Sequence, residues 1–442
     1  MSEKTVTGYL PNERPPFGKL LLFALQQILV MFPATVLVAL ITGFHVSTTI
    51  FASGLATLCF IFITKGKIPL YYGSSFSYIA AIVGITGAEF GVPASDLLIS
   101  QAQFGIIFSG LVSIAAGLIV SRFGLDKIEK VLPPSVTGSI AIVIGISLAG
   151  TAISNAAGFD AATGTASDSA WIVAIVTLLS TIIFSVYLRG VWSQLPILLG
   201  ILVGYVLSAF MGLIDFAAIT QGELFTVPHF TLPTVSWPAV LAIMPIAIAT
   251  IPESTAHLFQ LDIYVNDIAD KKGKPRHNIA GRLGSNLIGD GLGDIVSASI
   301  GGPAGTNYGE NLSTMAITKN FSIWVLGAAA VMTMIISFIR PLSAAVSSIP
   351  SPVINGACIY LFGIIGAQGI AIMINRKVDL FDSKNLAVIA TILVIGLGGH
   401  YAFPGNMIPI FGANLPAIAV ASLFGILLNM LLNLKKAEVK VE

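Results

Sequence analysis

Glu253 and Glu310 stand in stretches otherwise apolar enough to cross a lipid bilayer. An ionised carboxylate at that depth costs at least ~2.5–3.5 kcal/mol even on lenient insertion scales, so lipid-facing positions rarely keep one. A glutamate there points into a protein-lined space, where it binds a solute, carries a proton, or both. Glu253 belongs to the run Pro252-Glu253-Ser254-Thr255-Ala256-His257, which sets His257 four residues on and on the same helical face. An imidazole beside a carboxylate can exchange a proton near neutral pH. The plainer alternative for His257 is a helix-packing hydrogen bond.

Asp290 and Asp294 share an i, i+4 spacing inside GDGLGD. Either can face water or cap a backbone break; Asp290, nearer mid-span, is the candidate for a supporting role. Gln27, a neutral amide in the first apolar run, serves as a gate or packing group outside the contact set. Cys59 and Cys358 sit in apolar runs and read as small buried hydrophobes. No nucleophile–base set and no metal cluster accompanies the carboxylates, so the expectation is no catalytic residue, no metal and no cofactor beyond a proton as coupling ion.

The elements that must hold these groups are membrane spans. The chain is 55% hydrophobic and only 10% charged, against about 25% charged in soluble domains. An integral membrane protein follows, and a net charge of +1 offers no case for nucleic acid. Spans need about 20 apolar residues. Clear candidates run 20–44, 46–64, 98–120, 133–152, 170–188, 194–214, 238–260, 321–339, 352–374, 385–399 and 411–434. Three weaker ones, 69–87, 278–300 and 304–318, are short, rich in Gly, Ser, Asn and Pro, or carry the aspartates. Fourteen spans with both termini cytoplasmic put 21 of the 22 basic residues on the cytoplasmic side, Arg340 alone excepted. That sorting is what the positive-inside rule demands, and dropping a weak span breaks it. The first apolar run is too long for a cleavable signal and has no small-residue cleavage pattern after it.

Two motifs recur half a chain apart. Pro134, Gly138 and Gly145 are matched by Pro352, Gly356 and Gly363, and YGSSFS (72–77) by YGENLS (308–313). The copies start from opposite faces, as two inverted halves of seven spans require. Inverted repeats with interrupted helices at corresponding places mark secondary transporters, with the solute site near the midplane. The expected organisation is a cytoplasmic segment 1–18, a first repeat 19–214, a second repeat 238–434 and a cytoplasmic tail 435–442. The YG segments are the interrupted elements, because irregular backbone survives at that depth only where it is buried in protein or lines a cavity.

Together YYGSSFSY, PESTAH and YGENLSTMAITK, with Glu13 to Pro16 (ERPP) and Lys65 to Pro69 (KGKIP), resemble the nucleobase/ascorbate transporter family, also called nucleobase–cation symporter family 2. The similarity is closest to its bacterial uracil permeases. That resemblance implies an all-α polytopic fold of seven plus seven inverted spans, with short strands interrupting the third and tenth. It also implies core and gate domains, and a homodimer in the cell (inner) membrane. By position it places Phe76, Glu253, Gly309 and Glu310 on the substrate, and Glu253 with His257 on proton coupling. Ser75, Tyr308, Asn311 and Asp290 are supporting residues. Ser313 stands where the family motif has glycine, and Gln27 where its uracil permeases have histidine. The implied function is a proton-coupled symporter importing uracil by alternating access. A xanthine or other purine permease is the alternative within the family, and an anion exchanger or channel of the same fold the alternative outside it. The chemistry suits a flat neutral base: carboxylates accept from its N–H groups, and backbone N–H groups donate to its carbonyls.

Overall fold

A computed structural model describes residues 8–124, 132–160, 163–214, 216, 223–403, 406–410 and 413–434. The expected basic positions Lys4, Lys127, Lys130, Lys435, Lys436 and Lys440 lie outside these residues, as does the tail 435–442.

The chain is mostly helical. Among the described residues, eight helices are long and apolar enough to cross a membrane, and four shorter apolar ones join them. The first half contributes α1 (Phe17–Thr42), α2 (Val46–Ile63), strand β1 (Tyr72–Ser74), α3 (Ile79–Thr86), α4 (Asp96–Phe123), α5 (Pro134–Ser147), α6 (Ala149–Ala156), α7 (Asp168–Tyr187) and α8 (Pro196–Phe210). The second contributes α9 (Trp237–Ile243), α10 (Ala247–Lys271), α11 (Leu283–Ser299), strand β2 (Gly305–Asn307), α12 (Gly309–Thr318), α13 (Ile323–Ile336) and α14 (Arg340–Ser347). It closes with α15 (Ser351–Asn375), α16 (Ser383–Leu393), α17 (Gly399–Ala402), strands β3 (Met407–Ile410) and β4 (Ala413–Pro416), and α18 (Ala417–Leu434).

Two of the weak apolar candidates, 69–87 and 304–318, are each a short strand followed by a short helix. β1 and β2 pair antiparallel with Tyr72 opposite Asn307, Gly73 opposite Thr306 and Ser74 opposite Gly305. Glycine is required on this ribbon because aromatic rings lie on its backbone: a side chain at Gly73 would run into the Tyr308 ring, and one at Gly305 into Tyr72. The ribbon is tied down from both sides. Ser53 and Thr57 of α2 donate to the Tyr72 carbonyl at 2.8 and 3.1 Å. On the other side the Gly305 N–H donates to the Asp294 carboxylate at 2.7 Å, and the Tyr72 hydroxyl donates to the same group.

The helices pack in two groups, the ribbon belonging to the first. In the first, α11 lies against α4 and α2, α13 against α2 and α1, and α9 against α4. In the second, α15 lies against α5 and α7, α8 against α7, and α16 against α5 and α18. Gly138 and Gly145 of the motif sit at a close approach in this second group: a Cβ added to Gly138 would stand 2.7 Å from the Gly369 carbonyl, and one at Gly145 would run into Phe362 and Gly366. An apolar seam that includes Tyr78, Ile82, Ile140, Ile144, Ile243 and Ile418 joins the groups.

Two boundaries differ from the apolar runs. The 238–260 candidate continues as helix to Lys271. Its polar end is anchored to the returning loop, where Asp262 accepts from the Ile279 and Ala280 N–H groups and Asn266 bonds His277. The last candidate, 411–434, becomes helical only at Ala417, because Ala413–Pro416 pair with Met407–Ile410 as strands β4 and β3. The N-terminal segment 8–14 packs beside the α10 end: Lys272 bonds the Gly8 carbonyl and Glu13, Lys274 bonds Glu13, and Tyr9 pairs with Asn320.

Candidate functional site

The ribbon ends deliver two helix N-termini to one place. After β1, Ser75 is extended and its hydroxyl accepts from the Ser77 N–H at 3.3 Å, which starts a 3-10 turn at Phe76. After β2, Tyr308 is extended and α12 begins at Gly309, with Glu310 in its first turn. Unpaired N–H groups and the positive end of the helix dipole collect at such starts. They favour electronegative groups, whether a ligand carbonyl or the Glu310 carboxylate itself.

Glu253 reaches this region from α10. Ser77 hydrogen-bonds its carboxylate, and the Glu310 charge acts on it directly. Phe76, Glu253, His257, Gly309 and Glu310 are all only partly buried, whereas Ser75, Tyr308, Asn307 and Asn311 around them are fully buried. Half-open side chains ringed by closed ones describe a lining and its wall.

His257 shares the α10 face with Glu253, yet its ring is directed to the β2–α12 corner. A Cβ added to Gly309 would stand 2.7 Å from His257 Nε2, and the ring also lies at the Asn307 backbone. Gly309 is therefore glycine to admit the imidazole. His257 Nδ1 has no hydrogen-bond partner among the described residues.

The wall is a polar network that the sequence shows only in pieces. Ser254, next to Glu253, donates to Asp290 and accepts from Asn286 at 2.6 Å and from Asn307 at 3.1 Å. Asn307 also donates to Asn286 at 3.2 Å. α10, α11 and β2 are thereby held in one register, with Asp290 as the acidic end. Asp290 and Asp294 are both buried, so neither faces water, and Asp294 caps the break at Gly305. Tyr308 donates to the Ser74 carbonyl at 2.9 Å and bonds Thr35 of α1 at 3.0 Å. Asn311 donates to the Gln27 side chain at 2.8 Å and to its backbone carbonyl at 2.9 Å, so Gln27 fixes the residue after Glu310.

The structure brings together nine of the predicted positions: Phe76, Glu253, Gly309, Glu310, His257, Ser75, Tyr308, Asn311 and Asp290. Sequence reading passed over Ser254 and Asn286 and left Ser77 and Asn307 unassigned. Ser254 lies inside PESTAH, but nothing in sequence spacing links it to Asn286 or Asn307. Several buried acceptors here keep no partner among the described residues, including Asp290 Oδ1, Asn307 Oδ1 and Asn311 Oδ1.

Comparison with known proteins adds the family. Residues 18–405 match the model described as the Permease family (Xan_ur_permease). The chain is 38% identical over 428 residues to the uracil permease of Bacillus caldolyticus, covering 95% of this chain and 94% of that protein. It is 35% identical over 424 residues to the uracil permease of Escherichia coli (strain K12), covering 96% and 93%. Among solved structures, the transmembrane domain of the cyanobacterial bicarbonate transporter BicA superposes with a TM-score of 0.60 at 15% identity, covering 95% of this chain and 98% of that one. SLC26A9 superposes with a TM-score of 0.66 at 10% identity, and this chain spans 66% of its length. At such identities the likeness is one of fold alone.

Proposed function

This chain belongs to the Permease family, and from that premise we propose that it imports uracil together with a proton by alternating access. One observation carries the reading: two carboxylates converge at the strand-broken midpoint of a chain related over nearly its whole length to uracil permeases. Glu253 and Glu310 accept from the base N–H groups. N–H groups at the Phe76 turn and at Gly309–Glu310 donate to its carbonyls, and the Phe76 ring covers one face. Sites built on such pairs reject analogues lacking the matching group strongly.

Protonation belongs to Glu253 and His257, which share one face of α10. A proton falling through 100 mV releases ~2.3 kcal/mol, enough for roughly fifty-fold accumulation at one proton per base.

Fourteen spans in seven-plus-seven inverted order fit the packing. Exchanging the halves turns the α1–α13 contact into α9–α4, α2–α13 into α11–α4, α7–α15 into α16–α5, and α7–α8 into α16–α18, all of which occur. β1–β2, α2–α11 and α5–α15 map onto themselves. The first packing group, with the ribbon, is the core that carries substrate, and the second is the gate. Both termini lie in the cytoplasm, and the protein works as a homodimer in the cell membrane.

The test is radiolabelled uracil uptake into proteoliposomes under an imposed pH gradient, competed by xanthine, thymine and hypoxanthine. Uptake that needs the inside-alkaline gradient and yields only to close uracil analogues is the expected result. Uptake indifferent to the gradient, or displaced more strongly by xanthine, contradicts it.

A further inference from the structure

On the face opposite the N-terminal segment, three residues far apart in sequence meet. His45 precedes α2, Asp96 opens α4, and His229 lies in the segment leading to α9. His229 Nε2 stands 3.1 and 3.0 Å from the two Asp96 oxygens, and His45 Nε2 stands 3.7 Å from Oδ1. The two imidazole rings lie 4.4 Å apart, and one donor atom from each residue falls within 4.8 Å of the other two. His45 Nε2 is buried and has no hydrogen-bond partner among the described residues.

We infer that His45, Asp96 and His229 form a binding site for a zinc-class divalent cation. Donors each ~2.0–2.1 Å from a tetrahedral Zn²⁺ stand about 3.3 Å from one another; the two histidine–Asp96 separations of 3.0 and 3.7 Å bracket that spacing, and the two imidazole donors lie within 4.8 Å of each other. Two imidazoles and one carboxylate suit zinc. Mg²⁺ and Ca²⁺ require a larger set of oxygens that this corner does not offer. A cation also supplies the partner that His45 Nε2 lacks. Asp96 and His229 are 60% and 53% exposed, so the fourth position opens to water and the ion can exchange.

The site is built on a segment already latched to the helices beneath it. Thr48 donates to the His229 carbonyl at 2.6 Å, Thr231 donates to Gln103 at 2.8 Å, and the Thr234 N–H donates to the Ser100 carbonyl at 2.9 Å. The bound cation therefore adds a clamp between α2, α4 and the segment that joins α8 to α9. The inference does not depend on the identity of the transported solute.

The experiment titrates purified full-length protein in detergent with Co²⁺, reading the visible absorption of the tetrahedral ion, and then displaces it with Zn²⁺. One Co²⁺ per chain is expected, released by stoichiometric Zn²⁺ and unaffected by millimolar Mg²⁺ or Ca²⁺. His229→Ala and His45→Ala should each weaken binding at least ~10²-fold, since even the groups that only orient ligands are worth 10–100-fold. Thermal unfolding without metal serves as the fold control. Asp96→Asn, which keeps the shape, should weaken binding at least tenfold should the alanine variants fold poorly. Absence of saturable one-per-chain binding overturns the inference. So does binding that survives in the His45→Ala/His229→Ala double variant, which would put the ion elsewhere, for example at Cys59.

Discussion

The two packing groups differ in the balance of their polar side-chain bonds. Around the ribbon, hydroxyls and amides bond across elements: Ser53 to β1, Ser254 to Asp290, Asn307 to Asn286, Asn311 to Gln27. In the second group the hydroxyls more often bond their own helix one turn back, although Tyr360 reaches Ser185 at 2.6 Å and Tyr205 pairs with Ser348 at 2.8 Å. Ser139 donates to the Ser135 carbonyl at 2.7 Å, Thr177 to Val173 at 2.8 Å, Thr181 to Thr177 at 2.8 Å and Ser208 to Gly204 at 2.9 Å. Helix contacts there come from glycine against backbone or threonine, as at Gly138, Gly145, Gly200 and Gly204. Buried polar atoms left half-satisfied are costly, whereas close-packed apolar contacts are non-directional. The first arrangement fixes groups in one geometry, as a recognition site needs. The second group is joined to the first by an apolar seam, which suits the proposed role of gate. The lesson is that the site residues lie where hydrogen bonds cross between elements, not merely where polar residues are buried.

The comparison breaks most severely at Glu310. Glu310→Gln presents an amide donor to a ligand N–H and removes a charged hydrogen bond worth ~1.5–3 kcal/mol, so uracil affinity should fall roughly 10–150-fold with the thermal midpoint unchanged. The opposite signature belongs to the other group. Gly145→Leu drives a side chain into Phe362 and Gly366 and should cost ~1–3 kcal/mol of stability. Its thermal midpoint should drop while the affinity of the folded fraction stays within about threefold; a large affinity change at constant midpoint would erase the distinction between the groups. His257→Ala sharpens the contrast within the site itself. Gradient-driven accumulation should collapse while equilibrium binding changes no more than about threefold, and equal loss of both assigns His257 to binding or packing.

The smallest effect lies outside the membrane, at Glu13. Burial alone would raise its carboxyl, but bonds from Lys272, Lys274 and the Leu10 N–H outweigh that and hold it down, from the ordinary 4.5 to about 2. A lowered folded-state value means the tether stabilises fully above pH 4.5 and is lost as pH falls towards 2. Limited proteolysis of the N-terminal segment should therefore rise over that acid window and stay flat from pH 5 to 8. Glu13→Gln should abolish the slope, and a slope that persists in this variant places the tether elsewhere.

Much of this was legible in the residues because carboxylates in apolar runs are expensive and glycine-rich interruptions cannot face lipid. Glu253, Glu310 and both YG segments stood out for those two reasons. The pairing of the strands was not readable from spacing, since nothing in a three-residue run states its partner 230 residues away. It reached the reading through family resemblance, and the structure supplies the register. The Ser254–Asn286–Asn307 wall escaped because each member alone looks like an ordinary small-residue packing position; only their convergence distinguishes them. The directions of side chains on α10 were equally hidden. An i, i+4 spacing puts Glu253 and His257 on one face, but the open space above Gly309 decides where the imidazole goes. The metal-type corner shares that cause, because His45, Asp96 and His229 have no common sequence spacing and meet only through three loops.

A double-mutant cycle on equilibrium uracil binding, using Glu253→Gln, Glu310→Gln and the pair in detergent-purified protein of verified fold, tests the central claim most directly. Two carboxylates on one ligand should each cost at least about tenfold alone. Together they should cost less than the product, with a coupling of ~0.5–3 kcal/mol as expected of residues sharing a partner. Binding within threefold of wild type in either single variant, or strictly multiplicative losses, would contradict a base held between Glu253 and Glu310.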